Sequence, residues 1–238
     1  MLGKHILNAL TCLLFFICLT VLPLQERKAF AQNINPEITS NQQLAINLNP
    51  SNNQEIGFVY EAFLSPGQEP GEEENAPKFI PSSFRSTAPS VPRNQRKSQG
   101  HGLVKFTKDL SKAFVAVQVE GVNPQDIVMF HIHCGKPDVL GPILVDFALS
   151  GNIQQNFADN IFSTELTNEN IENTTNSGHD ILGAYLLGCP IGPVRWDKVK
   201  TIAGMEQFAK RSELYFNLHT KSQTFFGDIR GKLNPVQR

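Results

Sequence analysis

Residues 113–134, with the sequence A-F-V-A-V-Q-V-E-G-V-N-P-Q-D-I-V-M-F-H-I-H-C, contain the pattern that decides the fold. β-Branched and aromatic residues dominate 113–119 and 127–134, and such residues favour strands over helices. The segment between them contains Pro124 and predicts a turn. We therefore place two strands at the centre of the chain.

Further segments of the same kind lie on both sides. The predicted strands are 55–64, 102–108, 113–119, 127–134, 142–149, 213–220 and 225–233. Short strands separated by polar turns predict an all-β fold, an antiparallel β-sandwich or barrel with Greek-key-like connections. The apolar positions in 197–210 instead recur at helical spacing, so we expect one short helix there.

The first 31 residues have the organisation of a secretory signal peptide. Lys4 precedes a mostly apolar run over 6–24, and Ala29 and Ala31 occupy the two positions that signal peptidase reads. We expect cleavage between Ala31 and Gln32, which gives a secreted or periplasmic protein. The alternative is an uncleaved membrane anchor. No other stretch is apolar for long enough to span a bilayer.

The remainder of the chain divides into a lead-in and one domain. Residues 32–54 are rich in Asn and Gln and predict a disordered polar segment. We expect a single β domain over 55–236, with a proline-rich insertion at about 66–100. Asn and Thr cluster at 168–176, which predicts a loop.

The composition excludes two classes of protein. The 238 residues include 21 basic and 22 acidic side chains, for a formal net charge of −1, and 40% are hydrophobic. The charge balance excludes a strongly basic nucleic-acid binder, and the hydrophobic fraction excludes a wholly disordered chain. The expected partner is an unidentified extracytoplasmic protein or matrix component, with no nucleic acid involved.

Removal of the signal would leave two of the four cysteines, Cys134 and Cys189. Exported proteins fold in oxidising compartments, so we predict a disulfide between these residues, which would stabilise the fold by about 4 kcal/mol at most. Free thiols, or Cys134 as a metal ligand beside the histidines, are the alternatives.

The stretch His131-Ile132-His133 is the sharpest chemical feature of the chain. On a strand, residues i and i+2 lie on one face, so the two imidazoles are side by side at a separation that suits one metal ion. His219 lies in another predicted strand, and the three imidazoles would converge if the two strands lie close together. Imidazole ligands suit Cu or Zn, and three nitrogens leave one coordination position open. The alternative is a structural role, in which the imidazoles bind loop carbonyls and carboxylates.

Other polar residues have supporting roles in this hypothesis. Asp146 and Asp228 are expected to orient imidazoles, and Arg230 is expected to pair with a carboxylate or to attract an anion. His101 and His179 are expected at the surface, in polar loops. The sequence has no nucleophile, nucleotide-binding or metalloprotease motif, so we assign no catalytic residue and do not favour an enzyme.

Four segments, in order, resemble the CHRD domain, a family named for chordin and also found in bacterial secreted proteins. They are F-V-Y-E-A-F-L-S-P-G-Q-E-P (58–70), F-H-I-H-C-G (130–135) with Gly141-Pro142, L-Y-F-N-L-H-T (214–220) and F-G-D-I-R-G-K-L (226–233). The resemblance covers about residues 55–236 and implies an all-β domain. The insertion after the first segment and Asp228, where the family pattern has Glu, depart from it.

A second resemblance is to copper–zinc superoxide dismutase. His131, His133, His219 and Arg230 match that family in kind and order, whereas His179 is the only candidate for its bridging histidine. This incomplete ligand set disfavours dismutase activity. We therefore expect an exported CHRD-domain protein that acts as a non-enzymatic extracytoplasmic binding or structural module. The alternative is a copper- or zinc-binding β-sandwich with superoxide dismutase-like redox activity.

Overall fold

The computed structural model describes residues 55–136, 138–179, 181–192 and 197–236. The predicted signal peptide and lead-in lie outside these residues. The strands are β1 (Ile56–Leu64), β2 (Gln99–Thr107), β3 (Ala113–Glu120), β4 (Ile127–Cys134), β5 (Ile143–Asp146), β6 (Ile161–Leu166), β7 (Leu214–Thr220), β8 (Ile229–Lys232) and β9 (Asn234–Pro235). The helices are α1 (Ile153–Asn156), α2 (Asn168–Asn176), α3 (Ile181–Leu186) and α4 (Ile202–Lys210).

The strands form two antiparallel sheets, which confirms the predicted all-β sandwich. One sheet has the order β6-β3-β2-β1-β9 and the other has the order β5-β4-β7-β8. The chain crosses between the sheets after β3, β5, β6 and β8, so each sheet is built from distant parts of the sequence. The predicted strands at 113–119 and 127–134 are both present, but they belong to different sheets.

Phenylalanine rings fill the centre of the core. Phe130 stacks on Phe147 and on Phe216, with ring centroids 4.8 and 5.6 Å away. The rings of Phe157 and Phe162 meet Phe130 edge-on, each at 5.3 Å. These five side chains are 2% exposed or less, so burial of their large apolar surfaces is a principal source of stability.

Two predicted strands are shorter in the structure. The strand expected at 142–149 ends at Asp146, because its side-chain oxygen accepts a hydrogen bond from the N–H of Ala148 and begins a 3-10 turn. The strand expected at 225–233 begins only at Ile229.

The prediction of a loop at 168–176 was wrong, since these residues form α2. Thr167 and Asn170 form a capping box, in which each side chain binds the backbone of the other residue. The polar side chains that suggested a loop therefore satisfy the free N–H groups of a helix start. Ile171 and Thr174 are buried and form the side of α2 that packs against the domain. The strand β6 just before α2 was also not predicted.

The helix expected at 197–210 is present but begins at Ile202. The Thr201 hydroxyl accepts a hydrogen bond from the N–H of Gly204 at 3.0 Å and caps the helix. The residues before it extend past Cys189 instead, where the N–H of Val199 donates to the Cys189 carbonyl.

The proline-rich insertion lies against the loop between β7 and β8. The buried Glu73 carboxylate accepts hydrogen bonds from the N–H groups of Thr224, Phe225 and Phe226. The insertion is irregular as predicted, with four 3-10 turns, although its last two residues belong to β2. Within the described part of the chain, no helix has the length and apolar character needed to cross a membrane.

Candidate metal centre

The pairing of β4 with β7 puts the three predicted ligands on one face of a sheet. His131 and His133 alternate along β4, and Met129 of the same face lies directly opposite His219 of β7. The residues between them, such as Phe130 and Phe216, point the other way and are fully buried in the core. The histidines therefore occupy the sheet face that is turned away from the core.

The three imidazoles converge. One nitrogen from each of His131, His133 and His219 lies within 4.8 Å of the others. The ring centroid of His131 is 5.2 Å from each of the other two rings. The residues are 3%, 7% and 5% exposed, so the cluster is shielded from solvent. Among the described residues it is the only group of this composition.

Hydrogen bonds identify the nitrogen that each ring keeps free. His133 Nδ1 lies 2.9 Å from the Gly141 carbonyl, and His219 Nδ1 lies 3.0 Å from the Thr224 carbonyl. A carbonyl only accepts, so both Nδ1 atoms carry hydrogen and both Nε2 atoms have a lone pair. His131 is turned over, with Nε2 3.6 Å from an Asp146 carboxylate oxygen, which leaves its Nδ1 free.

The three remaining nitrogens, His131 Nδ1, His133 Nε2 and His219 Nε2, are buried without a hydrogen-bond partner in the described structure. Buried polar atoms are almost always satisfied, so three buried nitrogens without a partner in one cluster of rings indicate a ligand. Metal-bound histidines typically donate their second ring N–H to a carbonyl or carboxylate, as His133 and His219 do in this arrangement, and an Asp146 carboxylate oxygen faces the second nitrogen of His131 at 3.6 Å.

The protonation state also suits metal binding. Burial lowers the pKa of His219 to about 3, and the neighbouring His131 acts in the same direction. Burial, and then His131, lowers the pKa of His133 well below its ordinary value. Burial would raise the pKa of Asp146, but its contact with His131 outweighs burial and holds the pKa below the usual range. The imidazoles of His133 and His219 are therefore neutral near pH 7, as a metal ligand must be.

The supporting residues are placed differently from what the sequence predicted. Asp146 lies beside His131, as expected of an orienting carboxylate. The described contacts of the Asp228 carboxylate are with Ser98 at 3.1 Å and Arg96 at 3.8 Å, and none is with the histidines. The Arg230 guanidinium donates to the carbonyls of Lys136 and Val139, and the nearby carboxylates Glu69 and Asp138 act on its charge from more than 4.0 Å.

The same sheet face contains more buried polar groups. Asn217 and Arg230 are at most 1% exposed, and so is Glu69 of the insertion, whose carboxylate lies beside Gly227 together with the Asn217 side chain. Burial raises the pKa of Glu69 well above its ordinary value, although Arg230 and Arg96 oppose this. The insertion thus turns an outer sheet face into a second, polar interior.

Sequence reasoning missed three residues of the site: Gly141, Tyr215 and Thr224. Gly141 and Thr224 act through backbone carbonyls, and a carbonyl leaves no trace in residue type. Tyr215 could have been identified from the sequence, because it alternates with Asn217 and His219 along β7 and so lies on the same face. Its ring stacks on His133, with centroids 5.0 Å apart and planes 5° from parallel.

The disulfide between Cys134 and Cys189 is confirmed, with Cα atoms 6.0 Å apart. Cys134 directly follows His133, so the bond fastens the end of the strand that holds two ligands. It also excludes Cys134 as a thiolate ligand.

The other two histidines stand apart from the cluster. His101 lies on β2 and not in a loop, where it contacts Glu61 at 2.6 Å and stacks on Phe63. His179 is exposed between α2 and α3. Neither residue joins the cluster, so the described residues provide no bridging histidine of the dismutase kind.

Comparison with known families gives one match. The family model described as the CHRD domain matches residues 83–233 and so includes both strands that carry the histidines. No curated protein and no solved structure matches this chain. Because the family model matches more than half of the sequence and ends with β8, the chain belongs to the CHRD-domain family.

Proposed function

We propose that this CHRD domain is an exported metal-binding module that holds one zinc or copper ion on His131, His133 and His219. The observation that carries the proposal is the set of three buried ring nitrogens without a hydrogen-bond partner; in His133 and His219 the second ring nitrogen donates to a carbonyl, and in His131 it faces the Asp146 carboxylate at 3.6 Å.

The distances suit a first-row metal ion. Tetrahedral zinc with Zn–N bonds of about 2.0–2.1 Å places its nitrogen ligands about 3.3 Å apart. One nitrogen of each ring lies within 4.8 Å of one nitrogen of the other two rings, so ring movements of about an ångström close the site. Three neutral imidazoles suit Zn or Cu and leave a position for a further ligand.

Export is the second part of the proposal. The N-terminal segment has the pattern of a cleaved signal peptide, and disulfides such as Cys134–Cys189 persist in oxidising compartments. The extracytoplasmic binding partner predicted from the sequence remains a prediction.

Elemental analysis tests the metal site. The protein is purified without a histidine tag, stripped with a chelator and then titrated with Zn²⁺ or Cu²⁺. We expect one equivalent to bind and to stabilise the fold by about 2.7 kcal/mol when the free metal is at 100 times its Kd. The measurements are the metal-to-protein ratio and the unfolding midpoint.

One variant that removes two ligands and one control variant complete this experiment. H131A/H133A should abolish both metal binding and stabilisation, whereas His179→Ala, which removes an exposed histidine outside the cluster, should retain both. A wild-type protein that contains no metal and has the same unfolding midpoint with and without Zn²⁺ and Cu²⁺ would refute the proposal.

A further inference from the structure

Arg230 is the largest fully buried side chain among the described residues, at 1% exposed. Within the described residues, no carboxylate oxygen lies within 4.0 Å of its nitrogens. Its Nη1 donates to the Val139 carbonyl and its Nη2 to the Lys136 carbonyl, both at 3.0 Å. Burying a cation is costly even with such partners, so a residue of this kind calls for a specific role.

The guanidinium also forms the base of a stacked column. Its central carbon lies 3.4 Å from the centroid of the Tyr215 ring. The His133 ring stacks on the other face of the Tyr215 ring, with the two ring centroids 5.0 Å apart. The Tyr215 ring therefore fixes the plane of the His133 ring from one side, while Arg230 fixes the Tyr215 ring.

The same two residues hold the loop between β4 and β5. The Tyr215 hydroxyl accepts a hydrogen bond from the N–H of Gly141 at 2.9 Å and donates to the Val139 carbonyl at 3.4 Å. Arg230 holds the loop at Lys136 and Val139. This loop supplies the Gly141 carbonyl that binds His133 Nδ1. Both the plane of the His133 ring and its tautomer thus depend on the column.

We propose that Arg230 is a positioning residue for the metal ligand His133: through Tyr215 and the 136–141 loop, it holds the ring with Nδ1–H on the Gly141 carbonyl and Nε2 free for the metal. This inference rests on the proposed function. Arg230 thus acts at the histidine site, although its strand, β8, is two strands away from β4 in the sheet.

Zn²⁺ affinity in Arg230 variants tests the proposal. Lysine keeps the charge but cannot donate in a flat fork or stack as a plane. We expect Arg230→Lys to weaken Zn²⁺ binding by about 10- to 100-fold, the range typical of residues that orient a metal ligand. The control is Arg211→Lys, since Arg211 also lies over a ring, that of Phe208, but is half exposed and remote in sequence from the loop. Its affinity should equal that of the wild type.

A second readout separates positioning from general stability. In ¹⁵N-histidine NMR spectra, the His133 Nδ1–H signal should be protected in the wild type and lost in Arg230→Lys. The His219 Nδ1–H, which donates to Thr224 in a different loop, should stay protected in both proteins. If Arg230→Lys does not fold, Tyr215→Phe keeps the ring and removes only the hydroxyl, and it should weaken Zn²⁺ binding by about tenfold.

Unchanged affinity in a folded Arg230→Lys protein, or equal loss of the two histidine signals, would overturn the inference. Failure of the proposed function gives a different result, because the wild type would then bind neither Zn²⁺ nor Cu²⁺. The NMR comparison in metal-free protein would still report whether Arg230 holds His133.

Discussion

Each imidazole owes its orientation to an oxygen on another segment of the chain. His133 depends on the Gly141 carbonyl, His219 on the Thr224 carbonyl and His131 on the Asp146 carboxylate. Two of these oxygens belong to backbone, so the loops must be held in position for the histidines to present free nitrogens. The geometry of the site therefore depends on these oxygens as much as on the histidines.

Gly141 is a residue at which this dependence can be measured. A Cβ at this position would overlap the carbonyl oxygen and carbon of Cys134, which are backbone atoms that cannot move aside. We expect Gly141→Ala to lower the free energy of unfolding by roughly 1–3 kcal/mol or more, as overpacking does, and to weaken Zn²⁺ binding. Urea unfolding and a metal titration measure the two effects.

Gly192 provides the matched control, because no described atom lies within 4 Å of the point that a Cβ would occupy there. Gly192→Ala should leave both quantities close to wild type. Equal stability of the two variants would show that the loop adapts and does not fix Gly141.

At the scale of the elements, β7 shows that the β5-β4-β7-β8 sheet is buried on both of its faces. All seven of its residues are buried. Phe216 and Leu218 face the apolar core, whereas Tyr215, Asn217 and His219 face the loops that cover the sheet. A sheet that is polar on one face is normally solvated there. In this domain the insertion and the 136–141 loop exclude water from that face, which lets it hold neutral imidazoles.

The short helix α4 depends on its cap. Thr201 Oγ1 accepts a hydrogen bond from the N–H of Gly204, one of the free donors at the helix start. We expect Thr201→Ala to cost about 1 kcal/mol of unfolding free energy. Thr201→Ser retains the hydroxyl and should be close to wild type. Chemical denaturation of the two variants measures the difference, and an equal loss in both would exclude the cap as its cause.

For the whole molecule, the buried histidines make stability depend on pH. The unfolded chain protonates its histidines near pH 6.5, whereas folded His219 does so only near its pKa of about 3, and the pKa of His133 is also lowered. Between about pH 3 and pH 6.5, the unfolded state therefore binds more protons at His219 than the folded state does. The contribution of these histidines to the stability of the metal-free protein is therefore fully present above about pH 6.5 and declines as pH falls below it, by up to about 1.4 kcal/mol per pH unit for each histidine. The raised pKa values of Glu69 and Asp228 act in the opposite direction, so the histidine contribution is measured as a difference between variants.

Urea unfolding in the presence of a chelator, between pH 7.5 and 4.5, measures this decline. His219→Gln removes one titrating group and should reduce the slope. The same pH dependence of the free energy of unfolding in wild type and His219→Gln would contradict the assignment of a neutral buried His219.

The strands β3 and β4 show how far local pattern predicts the fold. β-Branched and aromatic residues within each segment gave their bounds to within a residue, because strand formation follows local side-chain preference. Their assignment to different sheets depends on contacts with β2 and β7, which no local pattern contains. The helix α2 was missed for a related reason, since Asn and Thr serve loops and helix caps equally well.

By itself, the sequence determined the all-β class, the strands of His131, His133 and His219 and the resemblance to the CHRD family, and it predicted the pairing of Cys134 with Cys189, with free thiols as an alternative that the structure removed. These follow from alternation along strands, from residue chemistry and from ordered motifs. Only the tertiary structure decided that β4 and β7 are neighbours, that loops bury their polar face and that Arg230 stacks behind Tyr215. Convergence of side chains and the choice of free ring nitrogen depend on distances between remote segments and on backbone carbonyls, which residue identity does not encode.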